Sequence, residues 1–154
     1  MKYKIVTAEN TSDFYMEALR EIAQTEHFKD TNALLVELSS KSSHITLASL
    51  EQFFRSGGII AFVMHKHHIV AMATLVTITK INGVTGRIEH VVVSPAHRKN
   101  NLSRQLMDQL ITVAKKKKLR YLDLTTEPKR VAANGLYQSL GFKKRDTNPY
   151  RLTL

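Results

Sequence analysis

The stretch from Arg87 to Asp108, R-I-E-H-V-V-V-S-P-A-H-R-K-N-N-L-S-R-Q-L-M-D, constrains the fold more than any other part of the chain. Ile88 to Val93 is an apolar, β-branched run that predicts a buried strand, with Glu89 and His90 set inside it. Ser94-Pro95 ends that strand, because proline has no N–H to give to a ladder. His97 to Asn101 is short, polar and basic. Leu102, Leu106, Leu110 and Val113 then recur at helical spacing, with Met107 and Ile111 widening the stripe. Strand, basic loop and helix start, in that order, suit a phosphate group. The first turn of a helix offers amide donors that no intrahelical carbonyl uses, and the dipole is positive there. Arg98, Lys99 and Arg104 add charge at the same place.

Charge along the chain agrees with this reading. Residues 1–77 carry seven Lys+Arg against eight Asp+Glu, and residues 78–154 carry sixteen against five, so the net charge of +10 lies in the half that holds the loop. Such a field steers a polyanionic ligand toward its site. Nucleic acid wants the same field, but no helix-turn-helix, RNA-binding aromatic motif or zinc spacing accompanies it, and that reading ranks second.

The remaining composition describes ordinary globular material, 43% hydrophobic and 23% charged, in 154 residues that suit one domain. The absence of cysteine excludes a disulfide scaffold, a thiolate metal site and a cysteine nucleophile. M-K-Y-K-I-V-T reads as a strand rather than a signal peptide, and no apolar run approaches the ~20 residues of a membrane span, so a cytoplasmic location is expected.

Element by element, Lys2 to Thr7 alternates as a first strand, and Thr11-Ser12-Asp13 caps a helix from Phe14 to about Gln24. Asn32 to Leu38 and Leu47 to Phe54 are shorter helical patterns. Gly57-Gly58 breaks the chain before a hairpin of Ile59 to Met64 with Ile69 to Thr79, turning through His65 to His68. Asn82-Gly83 is a sharp turn before the strand at Ile88. Tyr121 to Thr125 predicts a short strand and Lys129 to Leu140 a helix stopped by Gly141. Phe142 to Arg145 and Tyr150 to Leu154 are expected as closing strands.

Two motifs in sequence resemble those of the GNAT superfamily of N-acetyltransferases. Val93-Ser94-Pro95 followed by Arg98 to Ser103 is similar to that family's strand end and [QR]-x-x-G-x-[GA] loop, with Arg98 at the first position. Ala133-Asn134-Gly135-Leu136-Tyr137-Gln138-Ser139-Leu140-Gly141-Phe142 resembles the family's A-x-x-L-Y-x-x-x-G-F. The resemblance covers roughly Ile88 to Phe142. It departs at the loop: Asn101 and Ser103 stand at the two glycine positions, and Lys99 stands where a further glycine is common. Asparagine is the least costly of such replacements, since it enters the left-handed region more readily than other residues with a side chain.

The resemblance implies an α/β fold of α+β type, a single domain over residues 1–154. Its mixed sheet would have about six or seven strands, flanked by helices and splayed at the centre to hold acetyl-CoA as cosubstrate. It implies that Val91, Val93, Arg98, Lys99, Asn100, Asn101, Leu102, Ser103 and Arg104 bind the cofactor, with Arg130 and Tyr137 beside them. Tyr137 would place a phenol near the CoA sulfur. The implied reaction moves acetyl to a primary amine by direct attack in a ternary complex, and no cysteine or serine elbow suggests a covalent route. The alternative is a non-catalytic CoA-binding or nucleic-acid-associated module. The acceptor is a small-molecule or peptide amine that the sequence does not name. A homodimer is an open expectation, because many small members dimerise.

Four further residues have competing readings. A carboxylate inside an apolar strand is costly unless paired, so Glu89 is either a base for the attacking amine or turned outward and paired with Arg87. His90 points to the opposite face if the strand is regular; a core or surface histidine is the expected outcome, with a reserve base as the other reading. His65 and His67 share a strand face as a histidine pair would in a zinc site, but no acidic or cysteine ligand lies nearby, and a solvated hairpin turn is expected there, with no metal.

Overall fold

In the computed structural model, described at residues 2–9, 25–39 and 44–154, strand formation follows the hairpin signals closely. β1 (Tyr3–Glu9), β2 (Ile59–His65), β3 (His68–Lys80), β4 (Gly83–Val93) and β5 (Leu122–Asp123) lie in that order across one five-stranded sheet. All neighbours are antiparallel except β4 and β5, which are parallel. His65 pairs with His68, so Lys66 and His67 form the tip of the β2–β3 hairpin, with Lys66 at φ 57°. Lys80 pairs with Gly83 across Ile81-Asn82 at the next turn. The strand expected at Ile88 therefore begins five residues earlier, straight out of its turn.

Four helices occur among the described residues: α1 (Thr25–Leu38), α2 (Leu47–Arg55), α3 (Leu102–Lys116) and α4 (Val131–Ser139). α1 starts seven residues before the expected Asn32, since its first half is polar and fully buries only Thr31 among its described side chains, with His27, Phe28 and Asp30 half-buried. α2 begins at a reciprocal cap, in which Thr46 Oγ1 accepts from the Ser49 N–H and Ser49 Oγ accepts from the Thr46 N–H. The helix expected from Phe14 to Gln24 lies outside the described residues. Among the described residues, no helix is long and apolar enough to cross a membrane.

Strand periodicity sorts the core into two layers around the sheet. Ile60, Phe62, Met72 and Val92 gather with Leu34 and Leu35 of α1 and Leu50 and Phe54 of α2. The opposite face receives α3, whose Leu102, Leu106, Met107, Leu110, Val113 and Ala114 are all buried. Gln109 of α3 donates to Thr7 Oγ1 (2.9 Å), and Thr7 alternates with Val6 and Ala8 of the first layer. Each large side chain buried this way contributes about 1.5–3 kcal/mol.

Two features of β4 shape the rest. Its ladder with β5 consists of Gly86↔Leu122 and Arg87↔Asp123, and Ile88 to Val93 runs on beyond the end of β5. The ladder thus ends at Arg87, and the strand expected over Tyr121 to Thr125 shortens to two residues. Close approach at Gly86 brings β4 near the Leu119 and Leu122 side chains.

Residues 125–154 form a second compact unit, distinct from Met1–Leu124. In it α4 ends at Gly141, whose φ of 89° is the left-handed cap that its position predicts. The strands expected at Phe142 to Arg145 and Tyr150 to Leu154 are absent: these residues have no regular secondary structure, and among the described residues the sheet has five strands rather than six or seven. Alternation in Tyr150-Arg151-Leu152-Thr153-Leu154 is real. A strand also needs a ladder partner for its backbone groups, and none is paired with it among the described residues.

Candidate functional site

At the end of β4 the chain leaves regular geometry twice. Met72 pairs with Val92 and Thr74 with Glu89, so Ala73 alone faces both His90 and Val91. This is a β-bulge, and His90 adopts φ 55° to make it. The regular strand that would send Glu89 and His90 to opposite faces is interrupted at that point. The Thr74 hydroxyl donates to the Glu89 main-chain oxygen (3.2 Å) and lies 3.0 Å from His90 Nδ1. The Glu89 carboxylate forms an ion pair with Arg87, the bland alternative that its position allowed.

His90 and Thr74 form one wall of a cavity of about 390 Å³. Thr31 and Leu35 of α1, Leu50 and Phe53 of α2, and Ile60 and Met72 of the sheet close it, and Ile45 and Ser49 complete the lining. His90 is exposed to solvent overall, while the protein around it still removes water from part of the ring. That desolvation lowers its pKa from the ordinary 6.5, against a smaller upward pull from the Glu89 charge. His90 is therefore largely neutral at pH 7. Neither the cavity nor the bulge was legible in sequence; a threonine within the apolar run of β3 was the only trace.

The second departure is the loop. Pro95–His97 makes a 3₁₀ turn, and then Lys99 (φ 64°) and Asn101 (φ 58°, ψ 20°) both enter the left-handed region. These are two of the positions where glycine was expected, and the backbone keeps glycine-like torsions without it. Asn100 Nδ2 pins the loop by donating to the His97 and Arg98 carbonyls, both at 3.1 Å. Ser103 is the second residue of α3 and does not cap it; no side chain caps this helix start. Its first-turn amides thus suit an anion of the size of a diphosphate, with Lys99 alongside. Arg98 donates to the Val93 carbonyl (3.3 Å) and pairs with Glu37 of α1 (2.5 Å), and Arg104 pairs with Asp108 (3.8 Å). Leu102 is fully buried and anchors the loop to the core. Val91 and Val93 lie on the part of β4 that outruns β5.

Arg130 and Tyr137 belong to the second unit. Arg130 is the N-cap residue of α4, and Tyr137 sits about two turns later with its ring edge-on to Phe142, centroids 6.2 Å apart. His65 packs against Tyr3 and against His97, with ring centroids 5.2 Å apart in each pair. No group of three or more His, Cys, Asp or Glu that could hold a metal forms among the described residues.

Comparison with known proteins gives a consistent result. The model of the acetyltransferase (GNAT) family matches residues 16–142. Among solved structures, an acetyltransferase from Trypanosoma brucei superposes with a TM-score of 0.75 at 22% identity, over 99% of this chain and 100% of that one. Glucosamine-6-phosphate N-acetyltransferase from Arabidopsis thaliana gives 0.72 at 18% identity, over 99% of each chain. A predicted acetyltransferase from Clostridium acetobutylicum, solved with acetyl-CoA, gives 0.70 at 15% identity, over 98% of this chain and 96% of that one. At these identities the structures establish likeness of fold.

Proposed function

Because the chain belongs to the GNAT family of acetyltransferases, we propose that it transfers the acetyl group of acetyl-CoA to a primary amine by direct attack in a ternary complex. The observation that carries this reading is the loop, whose Lys99 and Asn101 keep the torsions of the missing glycines. In this reading residues 1–154 work as one domain. The amides from Lys99 to Ser103 hold the diphosphate of CoA, and Arg98, Arg104 and Arg130 exchange their present partners for phosphate oxygens. The main chain of Val91 and Val93, beyond the end of β5, lies along the pantetheine arm. Acetyl-CoA supplies an activated acyl group, and the Tyr137 phenol gives a proton to the departing sulfur. The likeness to structures of acetyltransferases, one of them solved with acetyl-CoA, supports the choice of cosubstrate.

Binding is tested by thermal shift. Acetyl-CoA at a hundred times its dissociation constant is expected to stabilise the protein by ~2.7 kcal/mol. A melting temperature unmoved by millimolar acetyl-CoA and CoA would count against the whole reading.

Loop geometry gives a sharper expectation. Replacing Asn101 by glycine should keep or tighten CoA binding, because the position already holds a left-handed torsion that costs a side chain ~1–2 kcal/mol. Ser103→Gly should weaken it, since glycine inside a helix costs ~1 kcal/mol and would fray the first turn of α3. Titration calorimetry distinguishes the two. A large loss of affinity in Asn101→Gly would show that the loop does not hold the diphosphate.

A further inference from the structure

We propose that the cavity walled by His90 and Thr74 takes the acceptor, that His90 Nε2 receives the proton of its amine, and that the rest of the acceptor is apolar. This rests on the acetyltransferase reading and specifies the acceptor end of it.

The lining supports an apolar body. Leu35, Ile45, Leu50, Phe53, Ile60 and Met72 supply the bulk of the wall. Each hydroxyl that joins them has given its one proton to a main-chain carbonyl. Thr31 donates to His27 (2.7 Å), Ser49 to Thr46 (2.9 Å) and Thr74 to Glu89 (3.2 Å). The described lining contains no Lys or Arg to meet a sugar phosphate and no Asp or Glu to meet the several ammonium groups of an aminoglycoside. A charged group placed there without a partner would be strongly disfavoured. A cavity of about 390 Å³ is within the ordinary range for small ligands.

One hydrogen-bond arrangement at Thr74 makes Nε2 the basic nitrogen of His90. A carbonyl oxygen only accepts, so the Thr74 hydroxyl proton points at Glu89 O. With the hydroxyl turned that way, the contact between Thr74 Oγ1 and His90 Nδ1, at 3.0 Å, is made by a proton on Nδ1, and this is the tautomer the proposal uses. Nε2 keeps its lone pair. The depressed pKa of His90 keeps that lone pair available at neutral pH, while the cavity favours the uncharged amine over the ammonium. Attack forms the N–C bond and breaks the C–S bond of the thioester. The extra proton on nitrogen passes to Nε2, and the sulfur takes a proton as it leaves. The imidazolium so formed faces one nearby charge, that of Glu89, which stabilises it; no other charged side chain occurs in the described lining. Thr74 acts as a positioning residue.

The test combines an amine series, four variants and a binding readout on the full chain. With acetyl-CoA, kcat/KM should rise about fourfold per methylene from propylamine to hexylamine, corresponding to the ~0.8 kcal/mol of a buried CH₂. Hexylamine and phenethylamine should exceed glucosamine 6-phosphate and kanamycin by at least tenfold. A preference for the sugar amines would overturn the proposal while leaving the transferase reading intact. The rate should rise with pH along a limb below 6.5, where His90 loses its proton. His90→Asn, chosen because asparagine accepts the left-handed torsion, should abolish that limb and lower the rate by roughly 10²-fold. Glu89→Gln should move the limb to lower pH by removing the upward pull on His90. Thr74→Val should lower the rate and Thr74→Ser restore it. A limb that survives in His90→Asn, or vanishes in Glu89→Gln, overturns the assignment. Independently of turnover, phenethylamine added to the CoA-loaded protein should shift the His90 ring resonances, and an unmoved ring overturns the proposal even if no amine is acetylated.

Discussion

Tyr137→Phe is expected to lower thiol release from acetyl-CoA by roughly 10²-fold, the lower range for a positioned acid. Phenylalanine keeps the ring, and with it the edge-on contact to Phe142. The backbone contribution is untouched, since the Tyr137 carbonyl still accepts from the Phe142 N–H (3.0 Å) and holds the end of α4 against the Gly141 cap. Stability should change by no more than the ~0.5–1.5 kcal/mol of one hydroxyl hydrogen bond. Acetyl-CoA affinity should barely move, because a thioester sulfur is a poor acceptor. The signature is therefore a fall in kcat with binding preserved. Wild-type turnover in the phenylalanine variant would make Tyr137 a packing residue of the second unit.

Gly86→Val is expected to cost about 3 kcal/mol, the upper part of the range for overpacking a core. Even a single Cβ at Gly86 would stand 2.5 Å from Leu122 Cδ2, 2.8 Å from Leu75 Cδ1 and 2.9 Å from Leu119 Cδ1. Three leucine methyls close on one buried point, so none can yield without displacing another, and valine adds two further methyl groups. In a chain of this size the loss lowers the melting temperature by roughly 6–12 °C. Gly86 pairs with Leu122 at the short junction where β4 and β5 meet, so the same change should also weaken acetyl-CoA binding. A valine variant that melts with the wild type would contradict the close packing at that junction.

The elements legible in sequence were those whose signal is local. The α3 stripe from Leu102 to Val113 lies on one continuous helix, where Leu102, Leu106, Met107, Leu110 and Val113 are buried as the spacing marks, while Ile111 is half-buried and Ala114 joins the buried set. The His65 to His68 turn and the Gly141 cap are likewise short-range. The left-handed torsion of Asn101 could be anticipated because so few residues with a side chain tolerate it; Lys99 shares that torsion without such a cue. What escaped depends on partners far along the chain. The bulge at His90 is a property of its register against β3, fixed by Thr74 sixteen residues earlier. The cavity needs α1, α2 and three strands at once. Alternation after Phe142 suggested closing strands because a hydrophobic pattern reports a face and not a ladder partner. Among the functional residues, the loop and Tyr137 were marked by motifs, whereas His90 gained its place beside the cavity from the tertiary fold alone.

The central claim is amine-dependent acyl transfer, and one assay addresses it most directly. CoA thiol release should be followed with acetyl-CoA at saturation, with and without a primary amine such as hexylamine, and the acylated amine confirmed by mass. The account expects release that depends on the amine and is matched one for one by acetylated product. Acetyl-CoA that binds and stabilises the protein, yet yields no thiol with any primary amine across the pH range, would contradict it and leave a CoA-binding module in its place.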